Sequence, residues 1–126
     1  MKITDEHLRK ILLDFGLTDK EARIYVSALG LGTTTILMIS KISGLKRPTV
    51  YTIIDSLVRK GLFSIELKGF KKMYRAENPD RLKAIFDGRR HELIETLPYF
   101  KELYSKNASS ALIRYHEGKE AIQFVY

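Results

Sequence analysis

The spacing of the apolar residues changes at Gly61, and this change restricts the fold more than any other feature of the chain. Before Gly61, four apolar residues recur at the spacing of one helical face: Val50, Ile53, Ile54 and Leu57. After it, apolar residues alternate with polar ones, as in a strand with one buried face: Phe63, Ile65 and Leu67. The alternation stops at Gly69-Phe70 and resumes at residues 71–76. The sequence therefore predicts a helix over residues 46–60 followed directly by a β-hairpin over residues 62–77.

Three shorter helices are predicted upstream of this pair. Apolar residues at helical spacing mark residues 5–15, and Thr18-Asp19-Lys20-Glu21 is a capping box that starts the second helix. Hydroxyls at residues 33–35 can cap a third helix that ends at Ile42. Pro48 suits the first helical position of the fourth. This order is that of a winged helix-turn-helix, a mainly α fold with one small β-hairpin (α+β).

A long helix is predicted over residues 79–107. Its apolar residues are spaced by sevens, fours and threes: Phe86, Leu93, Leu97, Phe100 and Tyr104. This face either pairs with a second copy of the chain or folds back on its own core, and Pro98 is expected to kink or restart the helix. Small residues at 107–110 predict a break, and a short strand and helix are predicted after it. We expect a winged-helix domain at 1–78, a linker or dimerisation helix at 79–107 and a further segment at 108–126 that opens another unit of a longer protein.

The charge of the chain is concentrated in its middle. The net charge is +7, and residues 41–75 carry nine basic and two acidic side chains, whereas the segments before and after them are balanced. A single sign gathered in one place is typical of a surface that binds phosphates. The lysines near the hairpin tip have a second reading, because charges there also block pairing between strand edges.

A recognition helix enters the major groove with its amino-terminal residues at the base edges. Arg47 is therefore predicted to pair with guanine, and Lys46 to contact a phosphate. The full set of predicted DNA contacts lies on the fourth helix and around the hairpin tip: Lys46, Arg47, Pro48, Thr49, Tyr51, Thr52, Arg59, Lys68, Lys71 and Lys72. Asp55 either accepts a hydrogen bond from a cytosine amino group or pairs with Arg59.

The sequence argues against an enzyme. It has no cysteine, its three histidines lack metal-ligand spacing, and it contains no nucleophile elbow or glycine-rich phosphate loop. We therefore predict no catalytic residue, no metal and no cofactor. Its apolar runs are too short for a membrane span and its amino terminus does not resemble a signal peptide, which predicts a cytoplasmic protein. A winged helix that binds an acidic protein is the alternative to DNA binding, and RNA binding is a further option that lacks an evident stacking platform.

Three stretches carry a family resemblance: FGLTDKEARIYVSALGLG (15–32), ISKISGLKRPTVYTIIDSLVRKGL (39–62) and YRAENPDRL (74–82). Together they resemble the winged-helix domain of TrmB-type archaeal and bacterial transcriptional regulators, over about residues 10–87. The tail IRYHEGKEAIQFVY resembles the start of that family's phospholipase-D-like sensor region, although Lys119 falls one residue too late for the His-x-Lys signature of those enzymes. The resemblance implies a homodimer that binds double-stranded operator DNA, with a sugar effector acting through a region beyond residue 126. It also implies that Tyr51 reaches the DNA backbone, although partial packing of Tyr51 against the core is an equal alternative.

The chain departs from this family at Ile36-Leu37-Met38-Ile39, where four successive residues are apolar. They cannot all face one core. Leu37 or Met38 is therefore either exposed or in contact with a dimer mate or another domain.

Overall fold

The computed structural model describes residues 2–117, with side chains through residue 106. Its elements are α1 (Asp5–Asp14), α2 (Asp19–Leu29), α3 (Ile36–Ser43), α4 (Arg47–Arg59), β1 (Phe63–Lys68), β2 (Lys71–Ala76) and α5 (Asp80–Glu117). The chain divides into a unit at residues 1–84, which holds α1–α4 and the hairpin, and a unit at residues 85–126. The predicted fold class, a winged helix-turn-helix followed by a long helix, is confirmed.

Threonines set the starts of the first three helices. The hydroxyls of Thr4, Thr18 and Thr35 each accept a hydrogen bond of 3.2 Å from the backbone amide three residues later. At Thr18 the capping box is complete, because its own amide donates to the Glu21 carboxylate at 2.9 Å. These side chains satisfy amides that the first helical turn leaves without partners.

The turn between α3 and α4 depends on Gly44. Its φ is +73°, and a Cβ there would lie 3.3 Å from the Arg23 guanidinium. The Ser40 hydroxyl donates to the Leu45 carbonyl, and the Leu45 amide donates to Ser43 Oγ at 3.3 Å. α4 then starts at Arg47, so Pro48 occupies its second position rather than the first.

The core of the first unit lies where α2, α3, α4 and the start of the hairpin meet. Its largest fully buried apolar side chains come from all four: Ile24, Tyr25, Ile39, Val50, Ile54, Leu57 and Leu62. The rings of Tyr25 and Phe63 pack edge to face with their centroids 6.4 Å apart, and the Tyr25 hydroxyl donates to the Glu77 carbonyl at 2.9 Å. α2 is thereby tied to both ends of the hairpin.

The hairpin is antiparallel and its register pairs Phe63 with Ala76 and Lys68 with Lys71. Gly69, at φ +65°, and Phe70 form the two-residue loop. β2 also makes a bridge with Thr34, through backbone hydrogen bonds of 2.7 and 2.8 Å to Tyr74. The bridge fixes the hairpin beside the amino end of α3, and the predicted hairpin is confirmed.

α5 differs from its prediction at its carboxyl end. The helix is continuous through Pro98 and through residues 107–117, where the sequence predicted a break and a strand. Alanine and serine at 108–111 are compatible with a helix, so small residues there do not end it. The predicted helix over 118–126 lies outside the described residues. Although α5 is long, no helix within residues 2–117 is apolar enough to cross a membrane.

Candidate nucleic-acid interface

A groove of about 650 Å³ lies between α3, α4 and the hairpin. Its lining comes from the amino end of α3, one side of α4 and the outer part of the hairpin: Thr35, Ile36, Leu37, Arg47, Tyr51, Asp55, Ile65, Phe70, Lys71, Lys72 and Tyr74. The core side of α4 holds this helix against α2, because Val50, Ile54 and Leu57 are completely buried. The opposite side is left for the groove.

The structure brings four predicted contact residues to this groove: Arg47, Tyr51, Lys71 and Lys72. Arg47 is the first residue of α4, and the two lysines open β2. All four side chains are exposed. Cations from two separate elements therefore border one concave surface, an arrangement that suits a polyanion.

The other predicted contacts lie around this groove or away from it. Lys46, Pro48 and Thr52 are exposed on the first turns of α4 and Thr49 is half-buried; the Thr52 hydroxyl donates to the Pro48 carbonyl at 3.2 Å. Lys68 is exposed beside Lys71, its partner across the strands. Arg59 ends α4, about 18 Å along the helix axis from Arg47 at 1.5 Å per residue.

Asp55 places one acid in the groove. No ion pair joins it to Arg59 among the side chains that the structure describes, so the sequence-based suggestion of that pair is wrong. Burial raises the pKa of the Tyr74 hydroxyl, and the neighbouring Tyr51 and Asp55 raise it further. Tyr74 therefore stays neutral and adds no negative charge to the groove.

Lys60 belongs to the basic surplus but is bound to an acid inside the protein. Its ammonium lies 2.7 and 2.8 Å from the two oxygens of Glu21, a residue that is 1% exposed. The Ser56 hydroxyl donates to the same carboxylate at 2.6 Å. Burial alone would raise the pKa of Glu21, but hydrogen bonds from Lys60, Ser56 and the Thr18 amide, with the charge of Lys60, lower it to about 2. The sequence marked Glu21 as a cap and gave no sign of this partner 39 residues away.

Arg75 is also paired. Its guanidinium lies 3.6 Å from Glu66 across the hairpin, and the Thr33 hydroxyl donates to Glu66 at 3.4 Å. Both charged side chains of this pair are nearly half exposed, so water screens it. Lys60 and Arg75 therefore add less to the exposed positive surface than the sequence count suggested.

Phe70 is the groove residue that the sequence prediction missed most clearly. It is fully exposed at the loop between β1 and β2. A signal was present, since two-residue hairpin loops usually carry glycine, asparagine or aspartate and this loop carries an aromatic residue.

In the apolar run that starts α3, Leu37 and Met38 are exposed, at 43% and 41%, while their neighbours Ile36 and Ile39 are buried. Among the described side chains, no three acids or histidines are close enough together to hold a metal ion.

Comparison with known proteins gives one family match. The family described as "Sugar-specific transcriptional regulator TrmB" matches residues 12–80, more than half of the chain. The HTH-type sugar-sensing transcriptional regulator TrmBL1 of Pyrococcus furiosus is 28% identical over 102 residues, which are 81% of this chain and 29% of TrmBL1.

Solved structures share the fold. TrmBL2, an archaeal chromatin protein, superposes with a TM-score of 0.72 at 24% identity, over 82% of this chain and 40% of its own. The MarR family regulator SPO1453 of Silicibacter pomeroyi has a TM-score of 0.52 at 16% identity, over 83% of this chain and 73% of its own. The chain thus spans well under half the length of both TrmB-type proteins.

Proposed function

This chain belongs to the TrmB family of transcriptional regulators, whose domain is a winged helix, and we propose that it binds double-stranded DNA sequence-specifically as a homodimer. In this proposal α4 enters the major groove and the hairpin contacts the adjacent backbone. The observation that carries the proposal is the shared groove, which Arg47 borders from α4 while Lys71 and Lys72 border it from β2.

The proposed division of roles follows from side-chain chemistry. Arg47 stands exposed at the amino end of α4, where a guanidinium can reach both acceptors of a guanine in the major groove. Lys46, Lys71 and Lys72 present point charges that suit phosphates, so they contribute affinity more than sequence choice. Thr52 already donates its hydroxyl to α4 itself, which leaves its methyl group for contact with a thymine methyl.

The dimer is proposed to form through α5. Within residues 85–106 its apolar side chains are exposed and recur at intervals of four and three: Leu93, Leu97, Phe100 and Tyr104. Two such faces, packed together, would remove these side chains from water. A dimer of this kind reads two half-sites, so the operator is expected to be approximately palindromic. A sugar effector, the class that the family description names, would act outside residues 1–126 in this proposal.

Selection of bound duplexes from a random pool tests the proposal. We expect an enriched palindromic sequence. Its affinity should fall by about 10⁵ between 50 and 200 mM salt if a dimer neutralises about ten phosphates. Absence of an enriched sequence would overturn the proposal. Binding to an acidic protein and not to duplex DNA would also overturn it, and would favour a protein-interaction module.

Charge-removal variants locate the contact. Lys71→Ala with Lys72→Ala should reduce the slope of log K against log salt by about 4 per dimer, at about 0.9 for each lost phosphate contact. Lys10→Ala with Lys20→Ala is the matched control, since both lysines are exposed on α1 and α2 and lie outside the groove. Equal slopes for the two double variants would place the hairpin away from the DNA.

A further inference from the structure

Phe70 projects from the tip of the hairpin and makes almost no contact with the rest of the protein. Its relative exposure is 109%, so it makes less contact with the rest of the protein than it would in a short peptide. Leu67, at 71%, is the next most exposed apolar side chain of the hairpin. A two-residue loop needs a glycine at positive φ, which Gly69 supplies, and places no requirement for an aromatic ring at the second position. A single exposed apolar side chain is common on protein surfaces, so the position of this ring and the charges around it, and not its exposure alone, must identify a partner.

The surroundings of Phe70 identify the kind of molecule. Lys68 and Lys71 face each other across the strands on either side of the loop, and Lys72 follows. All three lysines are exposed. A second copy of the same tip would bring like charges together, whereas a polyanion would neutralise them. A partner that suits both the lysines and the ring therefore has negative charge on its outside and an apolar interior. Duplex DNA has these properties, because its base pairs are stacked between two lines of phosphates.

The dimensions of the tip restrict how it meets DNA. Paired strands lie about 4.8 Å apart before their side chains are added, so the whole hairpin is too wide for a minor groove of about 6 Å. A single ring that projects from the loop is narrow enough to enter. Phe70 and Arg47 line the same groove of the protein, so a duplex held at Arg47 would also lie within reach of Phe70.

We propose that Phe70 is a wedge that enters the minor groove beside the α4 site and inserts between two base pairs, while Lys68, Lys71 and Lys72 hold the flanking phosphates. The inference rests on the proposed DNA-binding function and adds a mode of recognition to it. Apolar wedges of this kind unstack a base step and bend the duplex by about 20–90° towards the major groove. Flexible pyrimidine–purine steps unstack most easily, so the operator should carry one at a fixed distance from the bases that Arg47 contacts.

A fluorescence experiment tests the insertion directly. The chain contains no tryptophan, so Phe70→Trp introduces a single indole at the tip. On addition of the selected duplex, its emission should be quenched at least twofold by stacking on bases, and acrylamide should no longer reach it. A 2-aminopurine placed at the flanking step should brighten as that step unstacks. An indole that stays open to acrylamide in the bound complex would overturn the wedge.

Affinity and bending measurements complete the test. Phe70→Ala should weaken binding to the selected duplex at least about fivefold, as for loss of one aromatic–base stack. The salt slope should not change, because no charge is removed. The bend should also be lost, whereas Phe70→Leu, which keeps an apolar wedge, should retain most of both. Leu67→Ala is the matched control, with an expected change below twofold.

The outcomes separate this inference from the function on which it rests. Full affinity and full bending in Phe70→Ala, with a salt slope that still depends on Lys71 and Lys72, would overturn the wedge and leave DNA binding in place. Absence of duplex binding by the unmodified chain would overturn both. The indole of Phe70→Trp is also measured without DNA. If its quenching then increases with protein concentration, the ring contacts another protein molecule, and the wedge is overturned.

Discussion

Glu21→Gln is expected to destabilise the winged-helix unit by about 3 kcal/mol at pH 7. The Glu21 side chain is 2% exposed and accepts hydrogen bonds from Thr18, Ser56 and Lys60. Its pKa is lowered from 4.5 to about 2, and each pH unit corresponds to about 1.4 kcal/mol. Glutamine resembles the protonated carboxyl in shape and charge, so the substitution should remove about the free energy that ionisation contributes.

The contribution of ionised Glu21 also makes the free energy of unfolding depend on pH. Because the folded pKa lies below the unfolded one, the stabilisation is complete above pH 4.5 and is lost as the pH falls towards 2. The stability of the unmodified chain should therefore decline over this interval more steeply than that of Glu21→Gln. The difference between the two proteins should shrink from about 3 kcal/mol at pH 7 towards zero near pH 2.

Urea unfolding followed by circular dichroism at several pH values measures this difference. With a urea dependence of about 2 kcal/mol per molar, the midpoint at pH 7 should fall by about 1.5 M. Glu66→Gln is the control, because the Glu66–Arg75 pair is nearly half exposed and its loss should cost less than about 1 kcal/mol. A loss below about 1 kcal/mol for Glu21→Gln, or one that is the same at pH 3 and pH 7, would show that the ionised Glu21 does not stabilise the fold in this way.

Three further predictions concern the hydrogen bond from Tyr25 to the hairpin, Arg47 at the start of α4, and the exposed apolar face of α5. Tyr25→Phe removes the 2.9 Å bond to the Glu77 carbonyl and should cost about 1 kcal/mol in urea unfolding; an unchanged midpoint would contradict it. Arg47→Ala should weaken binding to the selected duplex by about 1–3 kcal/mol more than binding to random DNA, and equal losses would count against base reading. Leu97→Asp should reduce the sedimentation mass from dimer to monomer, whereas an unchanged mass would exclude α5 from the interface.

Local signals in the sequence were sufficient for the helix-turn-helix and the hairpin. Threonine caps, the Gly44 turn and the change of period at Gly61 each act within a few residues, so they can be recognised without knowing the tertiary structure. The end of α5 was predicted wrongly for a related reason. Small residues at 107–110 suggested a break, but alanine and serine are weak indicators of a helix end compared with glycine or proline.

Contacts between residues that are distant in the chain could not be predicted from the sequence. A count of charges assigns Lys60 to the exposed basic surface, but its ammonium is bound by the buried carboxylate of Glu21. Asp55 and Arg59 are four residues apart on α4, but they form no ion pair in the described residues, because such pairs are weak and side chains respond to their whole surroundings.

The sequence correctly predicted a turn at Phe70, but the complete exposure of its ring became evident only from the structure.

The anchors of α4 and the hairpin explain how two separate elements can serve one proposed interface. α4 is held at its carboxyl end, where Ser56 and Lys60 bind Glu21 of α2, and its exposed amino end carries Arg47. The hairpin is held at its base, where Tyr25 of the same α2 binds the Glu77 carbonyl, and its lysines stand at the free tip.

Because both anchors converge on α2, the distance from Arg47 to the hairpin lysines is set by the buried core and not by the exposed side chains themselves. Cations held in fixed relative positions lose less freedom when they bind phosphates, so a given set of contacts gives a higher affinity. Loss of either anchor should therefore weaken binding to the selected duplex even where the fold survives, since the phosphates of one duplex would no longer match both sets of cations at once.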